Sequence, residues 1–234
     1  MTFNSLNEIT KKAIQDFPNR IFFHDFNGEK ILFKDLEEKI NFWRKKFSAL
    51  NIKNGDKIAF TLDLELNTVS LIIALFTSGI KTIPIYPETS QDTFKYIITK
   101  TNPKLFILDE EIPKRFNTNI IDLNSLLIYD YRKLARLKNP LIDNFKNINV
   151  FIKPDDIGTI IFSSGSTGKP KGILIQNSNL ALGAKLVSNY LELSSLDHIL
   201  TPLRPNFDYG LNQIWQALLK GCTLTSFNMR QPYK

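Results

Sequence analysis

The sequence predicts an α/β protein, a layered α-β-α sandwich built on mainly parallel sheets. Two observations carry this. Short apolar runs, Lys57–Leu62, Lys81–Tyr86 and Leu105–Leu108, alternate with longer segments of helical period, at the spacing of parallel βαβ units. Glycine, proline and Asn/Asp clusters, such as Asn54-Gly55-Asp56, Gly79 and Pro87, separate the segments. With 234 residues, 43% hydrophobic and 23% charged, the chain has ordinary globular composition and enough length for a sizeable core.

Taken in order, Ser5 with Glu8 three residues on forms a capping-box start. Leu6, Ile9, Ala13, Ile14 and Phe17 then make one apolar stripe that Pro18 ends. Ile21–Phe26 and Lys30–Phe33 flank Asn27-Gly28, a hairpin signal. Asp35–Leu50 repeats Leu36, Ile40, Trp43, Phe47 and Leu50 at helical spacing. A helix from about Leu66 to Ser78 ends at Gly79, and another spans Gln91–Thr101. Residues 109–153 read as loops around one helix near Leu123–Leu137, with a sub-domain junction near 139–154. Beyond it come a strand ending at Phe162, a second strand Gly172–Ile175, a helix Asn177–Leu191 and a strand His198–Thr201. A helix Asp208–Leu219 and a strand Cys222–Phe227 follow.

The net charge of +7 is spread over scattered lysines without a run of five or six, which argues for a solvated surface and against nucleic acid as a partner. A single cysteine, Cys222, excludes an internal disulfide framework and fits a reducing compartment. With only His24 and His198 beside it, a zinc site is not expected. The polar N-terminus lacks the shape of a signal peptide. The longest apolar stretch, Val69–Ile80, is too short and too polar for a membrane span, so a cytoplasmic location is expected.

One stretch carries the chemistry. The strand ending Ile160-Ile161-Phe162 runs into Ser163-Ser164-Gly165-Ser166-Thr167-Gly168-Lys169-Pro170-Lys171-Gly172. Gly165 and Gly168 let the backbone turn tightly and bring N–H groups close to an anion. The hydroxyls add donors, and Lys169 and Lys171 add positive charge. This is a cradle for phosphates; a Gly/Ser-rich surface hairpin is the plain alternative. A Walker A loop would need Gly at position 163, Ser or Thr at 170 and a following helix. The sequence has Ser163, Pro170 and a strand, which argues against a P-loop kinase or ATPase.

The stretch resembles, without a gap, the phosphate-loop signature of the AMP-forming adenylating superfamily, which includes acyl-CoA synthetases, nonribosomal peptide synthetase adenylation domains and luciferases. Ile31–Leu36, Asn54–Phe60 and Leu75–Ile85 are similar to earlier structural motifs of that family, in order. The resemblance implies the fold of the N-terminal domain of adenylate-forming ligases, with residues 1–234 as its N-terminal portion. It further implies ATP and Mg²⁺ as cofactors, with Ser163, Ser164, Gly165, Ser166, Thr167, Gly168, Lys169, Lys171 and Gly172 on the ATP phosphates. Phe207-Asp208 resembles the start of the substrate segment in amino-acid-activating members, where the Asp meets an α-ammonium group; Asn212 lies one turn on. Asp208 as a helix cap is an equal alternative.

The implied activity is ATP-dependent activation of a carboxylic acid as an acyl-adenylate, followed by transfer to a thiol of CoA or a carrier protein. Asp208 favours an amino acid; aryl and fatty acids stay open. The family's catalytic lysine and hinged C-terminal lobe have no counterpart among these residues, so no catalytic residue is expected here. The expectation is a truncated, weakly active or inactive form. A non-catalytic nucleotide-binding or interaction remnant of such a ligase is the alternative.

Overall fold

The computed structural model describes residues 3–25, 28–109, 126–138, 150, 152–163 and 170–226. Helix α1 (Leu6–Asp16) starts as its sequence requires: the Ser5 side chain accepts from the Glu8 N–H at 3.3 Å. The Glu8 carboxylate closes the turn on the Asn4 N–H, one residue before the cap, at 2.9 Å. The hairpin β1 (Ile21–His24) and β2 (Lys30–Leu32) turns through Gly28 at φ +86°, while Phe26 and Asn27 lie outside the described residues. A single 3-10 turn, Phe33–Asp35, leads into α2 (Leu36–Ala49), which buries Leu36, Ile40, Trp43 and Phe47.

Next come β3 (Lys57–Thr61), α3 (Leu66–Phe76), β4 (Lys81–Pro84), α4 (Gln91–Thr101) and β5 (Leu105–Leu108). Gly79, at φ +70°, makes the left-handed turn between α3 and β4. The helix expected near Leu123–Leu137 is instead a strand, β6 (Leu127–Asp130), followed by the five-residue helix α5 (Tyr131–Ala135). Leu127, Ile128 and Tyr129 pair in parallel with Leu105, Phe106 and Ile107, so a sheet edge outbids helical period. Asp130 then caps α5, accepting from the Arg132 N–H at 2.8 Å. The expected junction near 139–154 lies largely outside the described residues.

The chain continues through β7 (Ile157–Ser163), β8 (Lys171–Gln176), α6 (Asn177–Tyr190), β9 (His198–Thr201), α7 (Asp208–Lys220) and β10 (Thr223–Ser226). Six strands form one sheet in the order β6-β5-β3-β4-β7-β8, parallel except for the antiparallel β7–β8 pair. Four form a second sheet, β2-β1-β10-β9, parallel except for the β1–β2 hairpin.

Alternation along β3 and β5 puts two faces of the larger sheet into two cores, as a sheet covered on both sides requires. Ile58, Phe60, Leu105 and Ile107 join the main core with Phe22, Phe23 and Leu224 of the smaller sheet, and with α3, α6 and α7. Ala59, Phe106 and Leu108 face the other way, onto Phe94, Ile97 and Ile98 of α4. Trp215 sits in the main core, 1% exposed, its ring 5.2 Å from that of Phe76. Among the described residues, no helix is long and apolar enough to cross a membrane.

Candidate active site

In an open parallel sheet, ligands bind outside the carboxyl ends of the strands. The glycine- and hydroxyl-rich loop leaves from that edge, at the end of β7. Ser163 and Lys171 are direct partners across the β7–β8 ladder and both are exposed, so the segment between them departs and returns across one residue pair. Ser164–Lys169, which hold most of the predicted phosphate ligands, lie outside the described residues. Gly172 pairs with Phe162; a Cβ there would lie 3.2 Å from the Phe162 ring, a tight contact that the ring would relieve by shifting a few tenths of an ångström.

β7 is held to β4 by two buried threonines. Thr82 Oγ1 donates to the Gly158 carbonyl at 2.9 Å, and Thr159 Oγ1 donates to the Thr82 carbonyl at 3.2 Å. The carboxyl end of β4 in turn anchors the loop that precedes α7. Asn206, 7% exposed, donates from Nδ2 to the Ile85 carbonyl at 2.7 Å. Its Oδ1 is buried without a hydrogen-bond partner among the described residues. Arg204 pairs with Asp63, after β3, at 3.2 Å and with Glu88, after β4, at 2.9 Å; its guanidinium stands 5.5 Å from the Tyr86 ring. Burial raises the Glu88 carboxyl, but the hydrogen bond and charge of Arg204 outweigh it and hold it below the usual range. Gly210 lets the first turn of α7 press onto this loop: a Cβ there would fall 2.1 Å from the Arg204 carbonyl oxygen.

This clamp presents the predicted substrate residues. Phe207, 49% exposed, leans on Tyr86 with ring centroids 5.1 Å apart. Asp208 is the first residue of α7 and is exposed. The N-cap position belongs to Phe207 and has no side-chain bond, so Asp208 does not cap the helix. Its carboxylate accepts no hydrogen bond from any described residue. Asn212 is one turn further on, partly exposed, on the same face. His198, on the edge strand β9, bonds Thr225 at 2.6 Å through Nε2.

Sequence reading missed Arg204, Asn206, Tyr86, Asp63 and Glu88 as parts of this edge. It also missed Asp109, after β5. Burial, together with the charges of Glu65 and Asp63, pushes the Asp109 carboxyl up to about 6, against the pull of the Asp63 N–H and Arg132. The one local signal was Arg204-Pro205-Asn206 directly before Phe207-Asp208; its partners lie on distant strands.

The carboxyl edge of the larger sheet thus brings the stretch that resembles a phosphate loop near the start of α7, where Asp208 stands. The comparisons make the family explicit. The sequence model of the AMP-binding enzyme family matches residues 10–233, and the chain belongs to that family. Bacitracin synthase 1 of Bacillus licheniformis is 28% identical over 199 residues, which is 85% of this chain and 4% of that protein. The structure of VinN in complex with 3-methylaspartate superposes with a TM-score of 0.82 at 19% identity, over 95% of this chain and 61% of that one. O-succinylbenzoate CoA synthetase (MenE) of Bacillus subtilis, in complex with ATP and magnesium ion, gives a TM-score of 0.80 at 19% identity, over 95% of this chain and 58% of that one. The chain thus spans about three-fifths of the solved relatives' length, and the fold is that of their N-terminal domain.

Proposed function

We propose that these residues form the phosphate-holding and acid-facing part of an enzyme that activates a carboxylic acid, an amino acid in the first instance, as an acyl-adenylate. The observation that carries this is the shared edge. The phosphate-loop sequence is anchored at the end of β7, while Phe207-Asp208 are anchored through Asn206 to the end of β4, the neighbouring strand. A carboxylate oxygen of the acid attacks the α-phosphorus of ATP, and pyrophosphate leaves. Ser164, Ser166, Thr167 and Lys171, with loop N–H groups, hold the departing phosphates and offset their charge. Ser163, Gly165, Gly168, Lys169 and Gly172 complete the cradle.

The donor set fits a polyphosphate: hydroxyls, amides and ammonium groups. Mg²⁺ would enter as the companion of ATP and would help to offset the phosphate charge. Asp208, exposed at the start of α7 and without a described hydrogen-bond partner, would be satisfied by an ammonium donor, which favours an amino acid. The adenylate would pass to a thiol of CoA or a carrier protein, in the cytoplasm. Turnover at ordinary enzyme rates is proposed to need the further length that the relatives possess.

Thermal unfolding with and without Mg-ATP tests the reading. Ligand at a hundred times its Kd adds about 2.7 kcal/mol, a rise in Tm of about 5–10 °C for a domain of this size. Thr167→Val and Lys171→Ala should remove most of that rise while leaving the unliganded Tm unchanged. No rise in the parent chain, or an equal rise in both variants, overturns the phosphate assignment.

A further inference from the structure

The apolar surface left open to water is concentrated in one stretch. Eleven of the fourteen exposed large apolar side chains among the described residues lie between Ile173 and Tyr209. Six of them sit on β8, on α6 or directly after it, where Leu174 is 61%, Leu186 59% and Tyr190 85% exposed. On α6, Leu182, Leu186 and Tyr190 recur every four residues and form a stripe on the side opposite the buried Ala181, Ala184 and Ser188. A helix needs one apolar stripe to join its own core. A second stripe, on the outward side, marks a surface that takes a partner.

Strand β8 ends the larger sheet, and no described strand lies on its outer side. Sheet ends are commonly guarded by charge or by shortness. The end strand β2 has three residues and opens with the exposed Lys30, and β6 closes with Asp130, ion-paired to Arg132. Strand β8 has six residues and one charge, Lys171, at its first position. From Lys171 to Leu191 the charged side chains are Lys171 and Lys185, with no acid. An open main-chain edge is satisfied by another strand, so the occupant that fits is polypeptide. Depletion of charge around exposed leucines matches the centre of a protein interface.

A second copy of the chain meets these demands. Two β8 strands paired antiparallel about a twofold axis perpendicular to the sheet keep like faces together, so residues of the same alternation oppose one another. With Leu174 on the axis, Leu174 meets its own copy, Ile173 meets Ile175 of the second copy, and Gly172 meets Gln176. Lys171 then falls opposite the polar Asn177, and the two Lys171 side chains stand at opposite ends of the pair, so no like charges face each other. Ala181 and Ala184 of α6 share the main core with Ile175, so both α6 stripes stand on the same face of the joined sheet. The six apolar residues expose about 650 Å² per copy, close to the ~800 Å² that each partner gives to a standard interface. We propose that β8 and the outer side of α6 form the interface of a twofold homodimer, in which the larger sheets of two copies join across Leu174. The inference does not depend on the function proposed above.

Light scattering after gel filtration, over about 1–200 µM protein, should show the mass rise from 26.9 kDa to twice that value and stop there. Leu174→Lys with Leu186→Lys, both at exposed positions, sets like charges beside the axis and should weaken association at least about tenfold. Leu127→Lys, on the β6 edge, should leave association unchanged. At about 1 µM, below the range of association, these variants should match the parent's stability within about 0.5 kcal/mol, which separates lost pairing from lost folding. Leu174→Cys should form an intermolecular disulfide on mild oxidation at least about tenfold faster than Ile173→Cys or Leu127→Cys. Residues on the axis stand about 4.5–5.5 Å apart, within disulfide reach, whereas Ile173 and its copy stand about 7–8 Å apart. The native Cys222 is buried and does not compete. A mass constant at 26.9 kDa would leave the face to a different polypeptide, such as the further length of the solved relatives, and would overturn the proposal. So would growth beyond a dimer, a dimer indifferent to Leu174→Lys with Leu186→Lys, or equal cross-linking of the three cysteine variants.

Discussion

Asp109 allows a prediction whose sign runs against habit. Its carboxyl is held at about 6 in the folded chain, against 3.8 ordinarily, with burial as the largest cause and the charges of Glu65 and Asp63 adding to it. The folded state therefore binds more protons than the unfolded state between those values, and stability falls as pH rises through that window. Ionising Asp109 in place costs about 3 kcal/mol at neutral pH and above. Asp109→Asn removes the charge but keeps an acceptor for the Asp63 N–H, now 3.1 Å away. It loses an ion pair with Arg132 of 3.9 Å, in which the arginine side chain is 49% exposed. A pair that long and that exposed is worth less than about 1 kcal/mol. The net gain at about pH 7.5 is about 2–3 kcal/mol, or about 5–10 °C in Tm for a domain of this size. At about pH 5 the parent chain has mostly protonated Asp109 while folded, and the gain should fall to about half. Thermal unfolding of both proteins at the two pH values decides the matter. If Asp109→Asn lowers Tm, by the same amount at both, the carboxylate is stabilised in its charged form and the reasoning is wrong.

Arg204→Ala should show the opposite trend. It should lose about 1–2 kcal/mol near neutral pH, where Asp63 and Glu88 are charged, and the deficit should shrink as acid protonates Glu88, whose carboxyl Arg204 holds low. Two glycine substitutions should differ in sign. Gly183→Ala, inside α6 with nothing within 4 Å of the new Cβ, should stabilise by about 0.5–1 kcal/mol. Gly210→Ala places a Cβ 2.1 Å from the Arg204 carbonyl and should cost at least about 2 kcal/mol by chemical denaturation. Cys222 is fully buried, and burial with the nearby Asp197 charge pushes its thiol up to about 11. Iodoacetamide at about pH 8 should label it only at the rate of global unfolding, and rapid labelling of the native chain would contradict this burial.

Most of the fold was legible because its signals are local. The Ser5 cap, the stripe of α2, Gly79 and the apolar run Leu105–Leu108 each sit within a few residues of the element they specify. The miss at Leu123–Leu137 has a non-local cause. Leu126, Leu127 and Ile128 are compatible with either period, and the deciding partner is β5, whose free edge offers a full set of parallel hydrogen bonds. The antiparallel turn of β8 was equally readable in retrospect, since a strand that follows β7 after so short a connection cannot cross over to run parallel.

The candidate site divides along the same line. The proposed phosphate loop could be read from one stretch, Ser163 to Gly172, because such a loop works through consecutive backbone N–H groups. The edge around Phe207 and Asp208 is assembled differently. Arg204 is joined to Glu88 across 116 positions, and Asn206 to Ile85 across 121. No spacing rule links those residues, and each reads as an ordinary polar loop residue until the sheet brings the ends of β3 and β4 beside the entry to α7. Asp208 shows the consequence. From sequence, capping and substrate contact were equal alternatives, because Asp is a good cap wherever a helix begins. The fold removes the first by placing Phe207 at the cap and leaving the carboxylate exposed with no hydrogen bond from a described residue. An exposed carboxylate whose one structural contribution is its charge at the N-terminus of α7 loses little on removal. Asp208→Asn should therefore leave Tm within about 0.5 kcal/mol of the parent while altering any response to amino acids, and a large loss of stability would return Asp208 to a purely structural role.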